Sequence, residues 1–184
     1  MMRSELSQVY KERLFSEEEI SWLSELFDKD LETQKGRWQN IKGIFKTESR
    51  VVKKHLGHFI DKQLKYAATL MNQEWKLRDI FLLEYHPGGK ANLHVDIHAT
   101  NGGISLVTLV EEEELVGGQV IIREDDIYGD VRNLRKTGFD EKDHIIQLDV
   151  GETVVYSASV IHGVTKVESG FRRVLVTWLD PKGE

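Results

Sequence analysis

The sequence predicts a mostly β fold with helices toward its N-terminal side, the helices packing on the outside of a jelly roll. Two observations carry this expectation. Apolar residues recur at helical spacing up to Met71, and from Arg78 onward the period changes to short β-branched or aromatic runs. Glycine-bearing turns, "PGG", "NGG", "VGG", "VGE" and "ESG", separate several of those runs.

The first helix is predicted in "FSEEEISWLSELFDKD". Ser16 stands at its start with Glu19 three residues on, the spacing of a capping box. Ile20, Leu23 and Phe27 then recur on one face, and the early acids suit the positive end of the helix dipole. A second helix fits "TESRVVKKHLGHFIDKQLKYAATLMN", with Val52, Leu56, Phe59 or Ile60, Leu64, Ala67 and Met71 as its stripe. Gly57 weakens that helix locally, by about 1 kcal/mol. The strands are expected in "DIFLLEYH", "ISLVTLV", "GQVIIRE", "HIIQLDV", "ETVVYSA" and "FRRVLVTWL". The expected organisation is one domain over 1–184, with helical support in 1–77 and the β core in 78–180.

One connection is long. Glu124 to Asp143 joins two strand-like runs with weak periodicity, and loops of that length in compact domains are functional or disordered. It carries Tyr128 and Phe139 with the basic Arg132, Arg135 and Lys136. It reads either as a lid that excludes water from a pocket or as a solvated surface loop.

Composition excludes several classes. A chain of 184 residues suits one domain with a core of its own. The absence of cysteine rules out disulfides, zinc–thiolate sites and cysteine nucleophiles, and suits a reducing compartment. With 25 basic and 31 acidic residues the net charge is -6, which argues against a general nucleic-acid binder. The N-terminal residues lack the apolar region of a signal peptide, and no apolar run approaches the ~20 residues needed to cross a bilayer. The expectation is a soluble, cytoplasmic protein without a membrane partner.

The stretch richest in chemistry is "GGKANLHVDIHATNGG", which places His94, Asp96 and His98 within five residues. In a strand, residues i and i+2 share a face, so His94 and Asp96 project together while Val95 packs the other way. A further imidazole would complete a 2-His-1-carboxylate set with open positions on Fe(II). The candidate is His162 in "YSASVIHGVTKV". His98 keeps the same parity if the strand continues and offers an alternative ligand, but it reads better as a pocket-rim residue. The plain alternative for the whole stretch is a solvated strand end. Downstream, Arg172 shares parity with Val174, Val176 and Trp178, and Arg173 with Leu175 and Thr177. An inward arginine is costly without a carboxylate, so either one faces core or pocket or both reach out to water from a strand start.

"YHPGGKANLHVD", "GGQVIIRE" and "VGETVVYSASVIHGVTKVESGFRRVLVTWL" together resemble the iron(II)- and 2-oxoglutarate-dependent oxygenases, nearest the prolyl-4-hydroxylase-like branch. The resemblance covers Phe81 to Leu179, and "HGVTKVESGFRRVLVTWL" is its most specific part. It implies a double-stranded β-helix (cupin-like) core preceded by helices. It implies His94, Asp96 and His162 as iron ligands and Arg172 as partner of the distal 2-oxoglutarate carboxylate. Tyr85 matches a tyrosine that lines the cosubstrate pocket, or is a packed core residue. Dioxygen is the implied cosubstrate, and ascorbate a further candidate. The Asp96 carboxylate fills the position that related halogenases leave open for halide, which favours hydroxylation. One departure stands out: some relatives carry a tyrosine in the strand after the HxD motif, and "ISLVTLV" has none. Thr108 and Ser105 are the candidate replacements. The implied function is hydroxylation of an amino-acid side chain in a protein or peptide, with prolyl among the options. The alternatives are a small-molecule hydroxylase and a non-catalytic metal-binding domain of the same fold. Oxidative demethylation of nucleic acid fits the acidic charge poorly.

Overall fold

The computed structural model describes residues 9–123, 138, 139, 141 and 143–183. Most of the long connection, with Tyr128, Arg132, Arg135 and Lys136, lies outside the described residues. Phe139 and Asp143 lie inside them.

The first helix forms where its capping box places it. Helix α1 spans Glu17–Lys29. The Ser16 hydroxyl accepts from the Glu19 N–H, and the Glu19 carboxylate accepts from the Ser16 N–H. The second predicted helix is broken. A short helix (Ser49–Val52) and a 3-10 turn (Lys53–His55) precede the main helix, Gly57–Met71. Gly57 is its first residue, where a helix interrupted by glycine is least penalised.

The β part forms two antiparallel sheets. The larger contains, in spatial order, Val9–Arg13 (β1), Glu152–Ser157 (β9), Ile104–Gly117 (β6), Val167–Pro181 (β11), Trp75–Tyr85 (β4), Ile44–Thr47 (β3) and Arg37–Ile41 (β2). The smaller runs Ala91–His94 (β5), Ile161–Val164 (β10), Val120–Arg123 (β7) and Asp143–Ile146 (β8). The result is a jelly roll with helices outside it. β1, β2 and β3 lie in the stretch where periodicity points only to helices, and they complete the large sheet at its two ends. The ends of the long connection are tied together: β7 pairs with β8, and the Arg123 guanidinium grips Asp143 at 2.6 and 2.8 Å.

Each face of the large sheet has its own core. On the outer face, Leu23, Phe27, Leu56 and Phe59 from the helices pack against Ile80, Leu82 and Leu175. On the inner face, Phe81, Tyr85, Leu109, Val174 and Val176 meet Val164 from the small sheet. Alternation along β4 and β11 therefore sends one set of side chains under the helices and the other into the roll. No helix among the described residues is long and apolar enough to cross a membrane.

Candidate metal and cosubstrate site

His94 and His162 come together because β5 and β10 are paired, with these two residues opposite each other. Gly163 permits the approach: a Cβ there would stand 2.7 Å from the Ala91 carbonyl oxygen. The imidazole centroids are 4.2 Å apart.

Asp96 arrives differently from the strand expectation. β5 ends at His94, and Asp96 lies beyond it, fixed by its N–H donating to the Ala158 carbonyl at 2.9 Å. Its Oδ1 is 3.7 Å from His94 Nε2 and 3.5 Å from His162 Nε2, and one ligand atom from each residue falls within 4.8 Å of the others. Oδ2 accepts a hydrogen bond from the Ser105 hydroxyl on β6.

The ring nitrogens facing away from the cluster are engaged. His94 Nδ1 is 2.6 Å from the Asn92 carbonyl and His162 Nδ1 is 2.9 Å from the Val160 carbonyl. A carbonyl can only accept, so Nδ1 carries the proton and each Nε2 lone pair points at the cluster. Two neutral imidazoles and a carboxylate anchored from behind suit a divalent first-row metal such as Fe(II). Burial raises the Asp96 pKa, but His162 beside it, with the Ser105 hydroxyl and His94, outweighs that and holds the carboxyl below its usual value.

His98 is neither a ligand nor a rim residue. The chain turns directly after Asp96, so parity fails, and His98 points into the core with no exposed surface. Its Nε2 is 3.1 Å from the Ile104 carbonyl and its ring lies against Trp178. A Cβ on Gly103 would stand 2.1 Å from the His98 ring, so only glycine fits there.

The cluster opens on a cavity of about 250 Å³ with apolar walls that include Phe81, Val107, Val174, Val176 and Trp178. Arg172 lines the same cavity. It is 4% exposed, donates to the Gly118 carbonyl, and its guanidinium lies 5.7 Å from the centre of the Tyr85 ring. Its Nε is buried without a hydrogen-bond partner, and it makes no ion pair with a described carboxylate. Glu112, its neighbour across β6, is exposed and acts only at a distance. Burial pulls the Arg172 pKa below the ordinary arginine value. A buried cation left in this state fits a cavity that receives an anion, and a planar fork fits a carboxylate. The lining thus fits 2-oxoglutarate, an anion with a metal-chelating end.

The hydroxyls expected to assist Arg172 are occupied elsewhere. Ser105 serves Asp96, and the Thr108 hydroxyl is 2.7 Å from that of Thr153, away from the cavity. Tyr156 was not singled out from the sequence, yet it lines the cavity, is 3% exposed, and packs with its ring centre 4.7 Å from that of His162, tilted by 50°. Its signal was its place in "ETVVYSA": it has the parity of Val154, a position otherwise read as core. Burial, and then the neighbouring Asp96, push the Tyr156 pKa well above its usual value, and burial raises that of Tyr85.

No protein-family model matches the chain, and no curated protein matches it. Solved structures do match in fold. HygX from Streptomyces hygroscopicus, with nickel, 2-oxoglutarate and hygromycin B bound, superposes with a TM-score of 0.73 at 14% identity, covering 95% of this chain and 83% of that one. A 2OG-Fe(II) oxygenase family oxidoreductase from Burkholderia pseudomallei gives 0.71 at 12% identity, covering 95% and 85%. A Pseudomonas putida prolyl-4-hydroxylase gives 0.64 at 15% identity, covering 96% and 95%. The chain has the jelly-roll fold of these oxygenases.

Proposed function

We propose that the protein is an Fe(II)- and 2-oxoglutarate-dependent dioxygenase that hydroxylates an amino-acid side chain in a protein or peptide. One observation carries the reading: a two-histidine, one-carboxylate cluster and a buried arginine without a carboxylate partner line the same cavity. In the overall reaction, dioxygen, 2-oxoglutarate and a substrate C–H bond give succinate, carbon dioxide and the C–OH product, and iron with the 2-oxo acid supplies that oxidation. His94, Asp96 and His162 hold the metal through three positions and leave the rest for ligands. The Asn92 and Val160 carbonyls keep the imidazole lone pairs aimed, and Ser105 keeps Asp96 turned toward the metal. Arg172 orients the 2-oxo acid by its distal carboxylate. The apolar walls exclude water around the reacting carbon.

The peptide reading draws support from β2. It is an edge strand of the large sheet, all five of its residues are exposed, and Asn40 and Ile41 from it line the cavity. An extended peptide can add to such an edge and place one side chain into the adjoining cavity. The fold likeness to a prolyl-4-hydroxylase makes proline the first side chain to try.

Succinate release with Fe(II), 2-oxoglutarate and oxygen, measured against proline-containing peptides, other peptides and small metabolites, tests the reading. Peptide-dependent succinate with a gain of one oxygen in the peptide is the expected result. Turnover confined to metabolites would replace the peptide with a small molecule, and no Fe(II)-dependent 2-oxoglutarate binding at all would leave only a metal-binding domain. His162→Ala is expected to abolish Fe(II) binding and turnover. Full iron affinity in that variant, with loss in His98→Ala, would overturn the ligand assignment.

A further inference from the structure

We infer that Tyr156 is a cosubstrate-binding residue whose hydroxyl donates to the 1-carboxylate of the 2-oxo acid, at the metal end of the cavity. The inference rests on the dioxygenase reading above and adds a residue to it. Three observations meet at this side chain.

The first is position. Tyr156 sits on the inner face of β9, opposite Ser105 of β6, and Ser105 holds Asp96. Its ring packs on His162. It therefore borders two of the three metal-cluster residues while lining the same cavity as Arg172 and Tyr85.

The second is an unmet hydroxyl. Tyrosine buried to this degree normally finds a hydrogen-bond partner. The Tyr156 hydroxyl has none among the described residues, whereas Ser105 is engaged by Asp96 and the two Nδ1 atoms by backbone carbonyls. A phenol is neutral at pH 7, so it can donate to an anion in a wall otherwise made of valine, phenylalanine and tryptophan.

The third is division of labour. A 2-oxo diacid has two carboxylates. Arg172, whose guanidinium lies over the Tyr85 ring, meets the distal one. The proximal one needs its own donor beside the metal, and Tyr156, whose ring packs on His162, is placed to give it.

The test compares Tyr156→Phe with the wild type under anaerobic conditions. Fe(II) is loaded first and its affinity measured. 2-Oxoglutarate and 2-oxobutyrate, which lacks a distal carboxylate, are then titrated by calorimetry. Tyr156→Phe keeps the ring on His162, so Fe(II) affinity and the thermal midpoint are expected to stay unchanged. Both 2-oxo acids are expected to bind about 10-fold or more weakly, since a hydrogen bond to a charged group is lost. Arg172→Ala is expected to weaken 2-oxoglutarate and leave 2-oxobutyrate nearly unchanged. Equal binding of both acids by wild type and Tyr156→Phe overturns the inference, as does weakening confined to 2-oxoglutarate, which would move the hydroxyl to the distal end. Wild type that binds Fe(II) but neither acid would instead sink the dioxygenase reading itself.

Discussion

Arg172 and Arg173 are consecutive, both are buried, and they sit in opposite worlds. Arg173 faces outward, under helix α1, where its guanidinium meets Asp28 at 2.7 Å, Glu84 at 3.0 Å and Glu111 at 2.9 Å. Arg172 faces into the roll and meets a backbone carbonyl, an aromatic face and a cavity. Burial works against the charge of each. At Arg173 the bonds to Asp28 and Glu84 outweigh burial and raise its pKa, whereas at Arg172 burial prevails and lowers it. A buried charge whose counter-ions the fold provides belongs to the architecture, and one left incomplete marks where a ligand completes it.

The strongest way to break this comparison is to remove Arg173. Arg173→Ala leaves the Glu84 carboxylate, 2% exposed, with Arg37 and the more distant His86 imidazole as its remaining partners. Stability is expected to fall by about 3–5 kcal/mol in urea denaturation, while 2-oxoglutarate affinity measured on the folded protein stays at the wild-type value. A loss of cosubstrate affinity without a loss of stability would reverse the roles of the two arginines.

Arg172→Ala is the mirror experiment, with the smaller effect. Loss of a charge-assisted hydrogen bond of about 1.5–3 kcal/mol is expected to weaken 2-oxoglutarate by roughly 10- to 150-fold. Denaturation midpoints should hold or rise, because a cation buried without a carboxylate has gone. A protein that unfolds on this substitution as readily as Arg173→Ala would show that Arg172 is a structural residue.

Acid sharpens the comparison by a smaller margin. The ion pairs on the helix side depend on carboxylates with lowered pKa values. Bonding to Arg173 lowers Asp28. At Glu19, burial raises the pKa, but the Lys62 ammonium at 2.7 Å, the Ser16 N–H and His58 outweigh it and bring it from 4.5 to about 2. A depressed folded-state pKa gives stability that is complete above the unfolded value and disappears as pH falls through the folded one. Glu19 therefore contributes fully above about pH 4.5, and its contribution is lost on the way down to about 2. Thermal midpoints followed across that window should fall less steeply in Glu19→Gln than in the wild type. Parallel curves would mean that Glu19 forms no such clamp between α1 and the Gly57–Met71 helix.

Much of this was legible in the chain. Ser16 and Glu19 declared their helix start because a capping box needs only neighbours three residues apart. β6, β9 and β11 declared themselves through alternation of β-branched residues. His94, Asp96 and His162 were nameable as candidate ligands, and the structure brings them together; Arg172 and Tyr85 were nameable as candidates for the cavity they line. β5 and β10 are four residues each, too short to carry a period, and β2 buries none of its residues, so it has no apolar face to read. His98 misled because parity holds only while a strand lasts, and the backbone turns after Asp96.

The sequence by itself determined the elements with a period, the capped helix, the acidic balance and the chemistry of the candidate ligands, because each of these depends on residues close together along the chain. Only the tertiary structure decided that both faces of the large sheet are covered and both arginines buried. It also decided that Ser105 belongs to Asp96, that Thr108 is taken by Thr153, and that Tyr156 stands beside His162. Those outcomes depend on which strands lie next to each other across the roll, and pairing between distant segments is set by packing of the whole, which no local pattern encodes.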